Sequence, residues 1–363
     1  MKITALLEKT LVWVIFSVTL LSSCASSGPN DFTIKTYTYL TGQYPLSLDA
    51  YLPETSVWGD KRPAFILIHG GGWTSGTRDE FKLFANSLAS LGIVAVCIDY
   101  HFAPVPVTAD NPRINDGRFP WPEQLNNAQA AVWWMRNHAE ELKIDPNKIA
   151  AFGGSAGGHI ASMLSLNAGY QPGTGVSSEV QALVTLWAPS DLLADHTTSS
   201  VVNESPLVTQ IAYDPDNYQI LQKNPQLLIS PPLINDAIGM ISNLLGTSVN
   251  YKVPSSAARE LASPLYQIPY HTPIPTLMIH GTADKLIPAF QSIEACTLKN
   301  KMVENETQQN SHNAVCKLVL LNGEGHRLPS HLSDPLDPNS RPNKDILIDE
   351  FLSFAATWAQ SSL

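Results

Sequence analysis

Apolar strands alternating with amphipathic helices predict an α/β protein whose mostly parallel central sheet is covered by helices on both faces. Two observations carry that class. From residue 64 onward, short runs that are apolar throughout, such as Ile93-Val94-Ala95-Val96-Cys97-Ile98, are separated by helix-length stretches with polar faces. One such run, Ile149-Ala150-Ala151-Phe152, passes through Gly153-Gly154-Ser155-Ala156-Gly157-Gly158 into an apolar helical stretch. That is the pattern of a sharp strand-to-helix turn with a serine at its apex.

The elements follow in order. Thr33 to Leu40 alternates polar and apolar residues, and Leu46 to Leu52 is a second short strand, so the two make an opening antiparallel hairpin. Ala64 to Ile68 is uniformly apolar, as a strand buried on both faces requires. Glu80 to Leu91 is a helix, Ile93 to Tyr100 a strand, and Glu123 to Leu142 a helix. Ile149 to Phe152 is the next strand, Ala156 to Leu166 a helix, and Val180 to Trp187 a strand. Pro275 to His280 is a strand, Ala289 to Lys301 a helix, Val315 to Leu321 a strand, and Asp345 to Trp358 a closing helix. Ala103 to Pro122, rich in Pro and Asn, reads as a surface loop. The regular alternation fails between Ser190 and Ser263, where apolar clusters are broken by Pro and Asn. An insertion of about 192–262, on the serine's side of the sheet, reads as a helical cap over the site. The alternative is a peripheral helical insertion with no part in substrate binding.

The 363 residues are 44% hydrophobic and carry a formal charge of −10, with Lys and Arg scattered. That composition is globular, and it excludes a nucleic-acid partner held by a basic patch. At the N-terminus, Lys2 and Lys9 precede an apolar stretch from Leu11 to Leu21. About 11 apolar residues are too few to span a bilayer but suit a signal peptide. The stretch ends in Leu21-Ser22-Ser23-Cys24-Ala25, which resembles the bacterial lipoprotein box. The resemblance implies a signal peptide over 1–23, a lipidated Cys24 as mature N-terminus, and a flexible tether over 24–32. The catalytic domain would then be 33–363. Ala25 rather than Asp after the cysteine favours the outer membrane, facing the periplasm or the cell surface. The alternative is a cleavable signal with an unrelated cysteine. Cys97 falls in a buried strand and reads as an inert thiol. Cys296 and Cys316 bracket a polar loop and are candidates for a disulfide in an oxidising compartment. No zinc-type Cys/His spacing and no phosphate-binding glycine loop is present, so neither metal nor cofactor is expected.

Serine becomes a nucleophile only when a base takes its proton, and the base needs an acid to orient it. Ser155 is the candidate nucleophile. Asp284 follows the strand ending Ile279-His280-Gly281, and His326 follows Leu320-Leu321 in Asn322-Gly323-Glu324-Gly325-His326. The order Ser, Asp, His is the one this elbow motif requires, and each residue lies on a loop after a parallel strand. Asp191, after an earlier strand, is the rival acid. His69, His159 and His280 are assigned packing and loop-shaping roles. Upstream, His69-Gly70-Gly71-Gly72-Trp73 also ends an apolar run. Gly71 and Gly72, with Ala156, are the expected backbone donors to an oxyanion. Trp73 is a candidate pocket wall, with simple loop packing as its alternative.

These motifs together resemble those of the α/β-hydrolase fold from about residue 45 to the C-terminus. The resemblance is to the HGGGW-type esterases of the hormone-sensitive-lipase and bifunctional feruloyl/acetyl-xylan esterase groups. It rests on HGGGW at 69–73, GGSAGG at 153–158, Asp145-Pro146, Asp191-Leu192, Ser263-Pro264, HGTADKLIP at 280–288 and GEGH at 323–326. It implies a serine carboxylesterase acting on a small-molecule ester. The alternatives are an amide hydrolase of the same fold, an exopeptidase or arylformamidase, and a non-catalytic binding protein. Two positions depart from the group: His101 stands where Arg is usual in Asp-Tyr-Arg, and Asn127 where Asp is usual. Both read as altered scaffolding.

Overall fold

The computed structural model describes residues 32–105, 117–166, 176–192, 240–241, 243–245, 255–306, 315–326 and 341–361. The segment read as a signal peptide, Cys24 and the tether as far as residue 31 lie outside the described residues. So does most of the segment read as a cap, of which 192, 240–241, 243–245 and 255–262 are described.

Eight strands form one sheet: β1 Phe32–Leu40, β2 Leu46–Pro53, β3 Arg62–Ile68, β4 Val94–Ile98, β5 Ile144–Gly154, β6 Ala182–Leu186, β7 Thr276–Gly281 and β8 Cys316–Leu321. Their spatial order is β1-β2-β4-β3-β5-β6-β7-β8. The hairpin β1–β2 and the β2–β4 contact are antiparallel, and every pair from β4 to β8 is parallel. The parallel strands read as continuous apolar runs because both faces are covered. On β3, Ala64, Ile66 and Ile68 belong to one core while Phe65 and Leu67 belong to the other. On β5, Ile149 and Ala151 face one way, Ala150 and Phe152 the other.

Among the described residues, five longer helices cover the sheet: α1 Lys82–Ser90, α2 Glu123–Asn137, α3 Ala156–Leu166, α4 Phe290–Glu306 and α5 Arg341–Gln360. Phe84 and Leu88 of α1 share a core with Phe351 and Trp358 of α5. Val132 of α2 and Ile160 of α3 lie in the opposite core.

The structure differs from the sequence pattern at several element ends, among them three with a local reason. The helix expected from Glu80 begins as a tight turn, Arg78–Phe81, before α1. The stretch Glu123 to Leu142 breaks at His138 (φ −108, ψ 22), and its last turn, Ala139–Leu142, stops at Lys143 in the left-handed region. Strand β5 starts five residues before Ile149. Its first part carries partly exposed Asp145, Pro146 and exposed Asn147, so hydrophobicity alone marks only the buried half.

Cys296 on α4 and Cys316 on β8 are joined, with Cα atoms 5.4 Å apart. The loop they close spans a sequence separation of 20, and such a closure contributes about 3 kcal/mol in the chain-entropy account. Asn300 binds the same strand end, its amide pairing with both the N–H and the C=O of Cys316 at 2.8 and 3.0 Å. The strand that delivers His326 is thereby fastened to the helix that follows Asp284. At the two departing positions, the His101 N–H donates to Asn127 Oδ1 at 2.9 Å, and Asn127 Nδ2–H donates to Glu123 Oε1 at 2.9 Å. The acid of this contact is therefore Glu123, one turn before Asn127.

Candidate active site

Strand β5 delivers the candidate nucleophile. Ser155 has φ 52, a left-handed conformation unusual for a residue with a Cβ. It is held there by its own N–H, which donates to Leu186 O of β6 at 2.9 Å, and by the tight crossing of strand and helix. A Cβ on Gly157 would stand 2.0 Å from Ile68 O, and one on Gly153 would stand 2.3 Å from Gly157 O. The glycines let α3 press against β3 and β5, and the serine is driven outward.

Strands β7 and β8 deliver the candidate acid and base. Ser155 Oγ–H donates to His326 Nε2 at 2.8 Å, and His326 Nδ1–H donates to Asp284 Oδ2 at 2.7 Å. The two loops are laced together. Thr282 N–H donates to Leu321 O, Ala283 N–H to Glu324 O, and Gly323 N–H to Thr282 Oγ1. Asp284 is buried, and burial pushes a carboxyl up. The hydrogen bonds from His280 and His326, and the positive charge either ring carries when protonated, outweigh that and hold it at about 2. Its other oxygen, Oδ1, accepts the Leu286 and Ile287 N–H groups, both at 2.9 Å. The acid is thus ionised and fixed across the working pH range.

The 69–73 loop lies against Ser155. Gly71 has φ 92, and a Cβ there would stand 2.1 Å from Ser75 O, so no other residue fits this turn. Gly72 and Ala156 border the same pocket as Ser155, where N–H donors to an oxyanion are needed. Trp73 is both wall and packing: it lines the pocket, is only 4% exposed, and its Nε1–H donates to His159 Nδ1 at 3.3 Å. Among the described residues the rest of the lining is mostly apolar, with Leu192, Met240, Ile241, Leu286 and Ile287, and it carries two polar side chains, Asp191 and Gln291. Asp191 takes no part in the contact to His326: that place belongs to Asp284, and Asp191's backbone N–H donates to Gln291 Oε1 at 3.1 Å.

The three other histidines divide. His69 stacks on Tyr100, with ring centroids 4.2 Å apart. His159 Nε2–H donates to Ala262 O at 2.7 Å, and burial lowers both rings to about 4, which keeps them neutral. These two shape the loop. His280 does more, because it reaches Asp284. A second residue without a sequence signal is Glu80, whose Oε2 accepts the Gly70 N–H at 3.0 Å. Glu80 is exposed as a residue, yet desolvation of its carboxyl raises its pKa, against the Gly70 hydrogen bond and the nearby His326, which lower it. An acid opening a helix reads, in sequence, only as a favourable helix-end charge.

Ser155, Asp284 and His326 each stand past the carboxyl end of a parallel strand and are brought together by hydrogen bonds, with the 69–73 glycine loop beside the serine. Together with the sheet order this is the α/β-hydrolase fold. The chain belongs to the BD-FAE family, which matches residues 48–302, more than half of its length. It is similar to the probable carboxylic ester hydrolase LipM of Mycobacterium tuberculosis, 33% identical over 134 residues. That match covers 36% of this chain and 28% of LipM. Carboxylesterase NlhH of the same species is 32% identical over 107 residues, 29% of this chain and 30% of NlhH. The matched part is therefore less than a third of either relative. Among solved structures, native esterase 2 of Thermogutta terrifontis superposes with a TM-score of 0.58 at 23% identity. That superposition covers 92% of this chain and 95% of the esterase, and what it shares is the fold.

Proposed function

We propose that the protein is a serine carboxylesterase. Ser155 Oγ attacks the ester carbonyl carbon while its proton passes to His326 Nε2. The carbonyl oxygen becomes an oxyanion received by the N–H groups of Gly71, Gly72 and Ala156. The intermediate collapses, the C–O bond to the alcohol breaks, and His326 gives its proton to the departing oxygen. Water, deprotonated by the same histidine, then attacks the acyl-serine and releases the acid. Asp284 stays ionised throughout and steadies the imidazolium.

The observation that carries this reading is the unbroken donor–acceptor chain from Ser155 to Asp284, 2.8 and 2.7 Å per link, opening beside an apolar pocket. Family membership and the named esterase relatives support it. An amine is a poorer leaving group than an alcohol and needs fuller protonation, so the test is a matched pair. An ester and an anilide of one short acyl group are assayed with wild type and Ser155→Ala. Ester turnover at least about a hundredfold faster than anilide turnover, abolished in the variant, is expected. Faster anilide turnover would assign the protein to the amidases.

Two further parts of the reading concern segments wholly or largely outside the described residues. The first places the enzyme on a membrane through a diacylglycerol-modified Cys24, on the strength of the Leu-Ser-Ser-Cys box. Intact mass spectrometry of membrane-extracted protein should find that modification, and a soluble form starting elsewhere would refute it. The second makes the insertion at about 192–262 a cap, supported by Met240 and Ile241 in the wall beside Ser155.

A further inference from the structure

We propose that His280 is a positioning residue that locks the carboxylate of Asp284 for the catalytic base, a step beyond the triad and resting on that reading of Ser155, His326 and Asp284. The histidine sits on the last turn-ward residues of β7, four residues before the acid, with a fully buried side chain. Its Nε2 lies 3.2 Å from Asp284 Oδ2 and 2.8 Å from Ile287 O. A carboxylate and a carbonyl only accept, so Nε2 carries the proton and shares it between them. Nδ1 is then the acceptor, and Ser292 Oγ–H donates to it at 2.7 Å. The tautomer is thus dictated from both ends of the ring.

The arrangement is specific in which oxygen it touches. Asp284 Oδ1 is held by two backbone N–H groups, whereas Oδ2 is held by two imidazoles, His326 on one side and His280 on the other. Among the described residues, Oδ2 without His280 keeps His326 as its hydrogen-bond partner, and a carboxylate pivoting about its Oδ1 contacts would carry the base off line. The His280 N–H also withdraws electron density from the oxygen that steadies the His326 imidazolium. The ring therefore trades some basicity of the acid for a fixed geometry. Among the described residues, the titratable groups facing His326 are Asp284 and, near the serine, Glu80; those facing Asp284 are the two histidines.

His280→Leu removes both ring nitrogens, while His280→Gln offers an amide nitrogen with two N–H groups for the same two acceptors. For His280→Leu, kcat should fall about tenfold to a hundredfold with KM within about twofold, as misplacement of a catalytic group predicts. Asp284, relieved of one donor, becomes the stronger base and holds the imidazolium more tightly. The acidic limb of the kcat/KM profile should therefore move to higher pH by about half a unit or more. His280→Gln should return kcat to within about threefold and restore the limb. A folded His280→Leu with an unmoved limb, or a Gln variant as impaired as Leu with both limbs unmoved, reduces His280 to packing and overturns the proposal. Should the Leu variant not fold, the wild-type enzyme still decides. In ¹⁵N-histidine spectra, the signal lost in His280→Gln must report an Nε2–H tautomer, and an Nδ1–H tautomer overturns the proposal. Full activity in Ser155→Ala would instead overturn the triad reading itself. A dead Ser155→Ala beside a normal His280→Leu overturns this inference alone.

Discussion

The two halves of the active site are held by different forces. On the β3–β5 side, Ser155 and the 69–73 loop are fixed by steric exclusion: glycines where a Cβ would stand about 2 Å from a backbone oxygen, and a serine forced to φ 52. The polar groups buried there, His69 and His159, are kept neutral. On the β7–β8 side one glycine also excludes a Cβ, Gly281 against Glu324 O at 2.3 Å, but most of the geometry is made by hydrogen bonds across two loops, and the group buried at the centre is a charge, Asp284. Steric fixation costs stability when broken, because overlap moves the backbone. Polar fixation costs turnover when broken, because the shape survives and the proton's path does not. The site thus separates the device that aims the nucleophile from the device that tunes the base.

The largest expected effect lies on the polar side. Asp284→Asn should keep the shape but offer His326 the wrong partner, lowering kcat on the order of 10⁴-fold with the fold intact by circular dichroism. Asp191→Asn, whose residue lines the pocket without touching His326, should cost less than about tenfold. The reverse ranking would move the acid to the β6 loop and undo the comparison. On the steric side, Gly157→Ala should lower stability by about 3 kcal/mol or more, measured by urea denaturation, because the methyl would overlap Ile68 O. A stable Gly157→Ala enzyme would show that the elbow is not set by exclusion.

The smallest effect separates the halves by pH. His69 and His159 have folded values of about 4 against 6.5 unfolded. The unfolded chain therefore takes up protons that the folded chain refuses. Stability is whole above about pH 6.5 and is lost as the pH falls toward 4, by about 2 kcal/mol per ring at pH 5. Asp284, depressed from 3.8 to about 2, is lost only below about pH 4. Comparing wild type with His159→Gln at pH 7 and pH 5 should show the pH dependence shrinking by about 2 kcal/mol in the variant. An unchanged dependence would mean that His159 is not buried neutral.

The same division explains what was legible in the sequence. Ser155, Asp284 and His326 could be read because a strand exit and its glycines are local features, written in consecutive residues. The triad's order then followed from chain order alone. His280 was read as loop shaping because its partners, Asp284 Oδ2 and Ser292, come from the turn and helix after it, and its orientation depends on how β7 meets α4. Glu80 gave no signal at all, since its contact with Gly70 exists only once the turn before α1 folds under the glycine loop. The exchange at His101 and Asn127 was visible, but its meaning was not. The compensating acid, Glu123, lies one turn away on α2, at a place no motif marks.

The central claim is that a covalent intermediate forms on Ser155. Wild-type enzyme and Ser155→Ala are incubated with a fluorophosphonate and digested, and the peptide carrying residues 153–158 is weighed. The account predicts one phosphonyl group per wild-type chain, on Ser155, and none on the variant. An unlabelled wild-type enzyme that still turns over ester, or a label on another residue in both proteins, would contradict it.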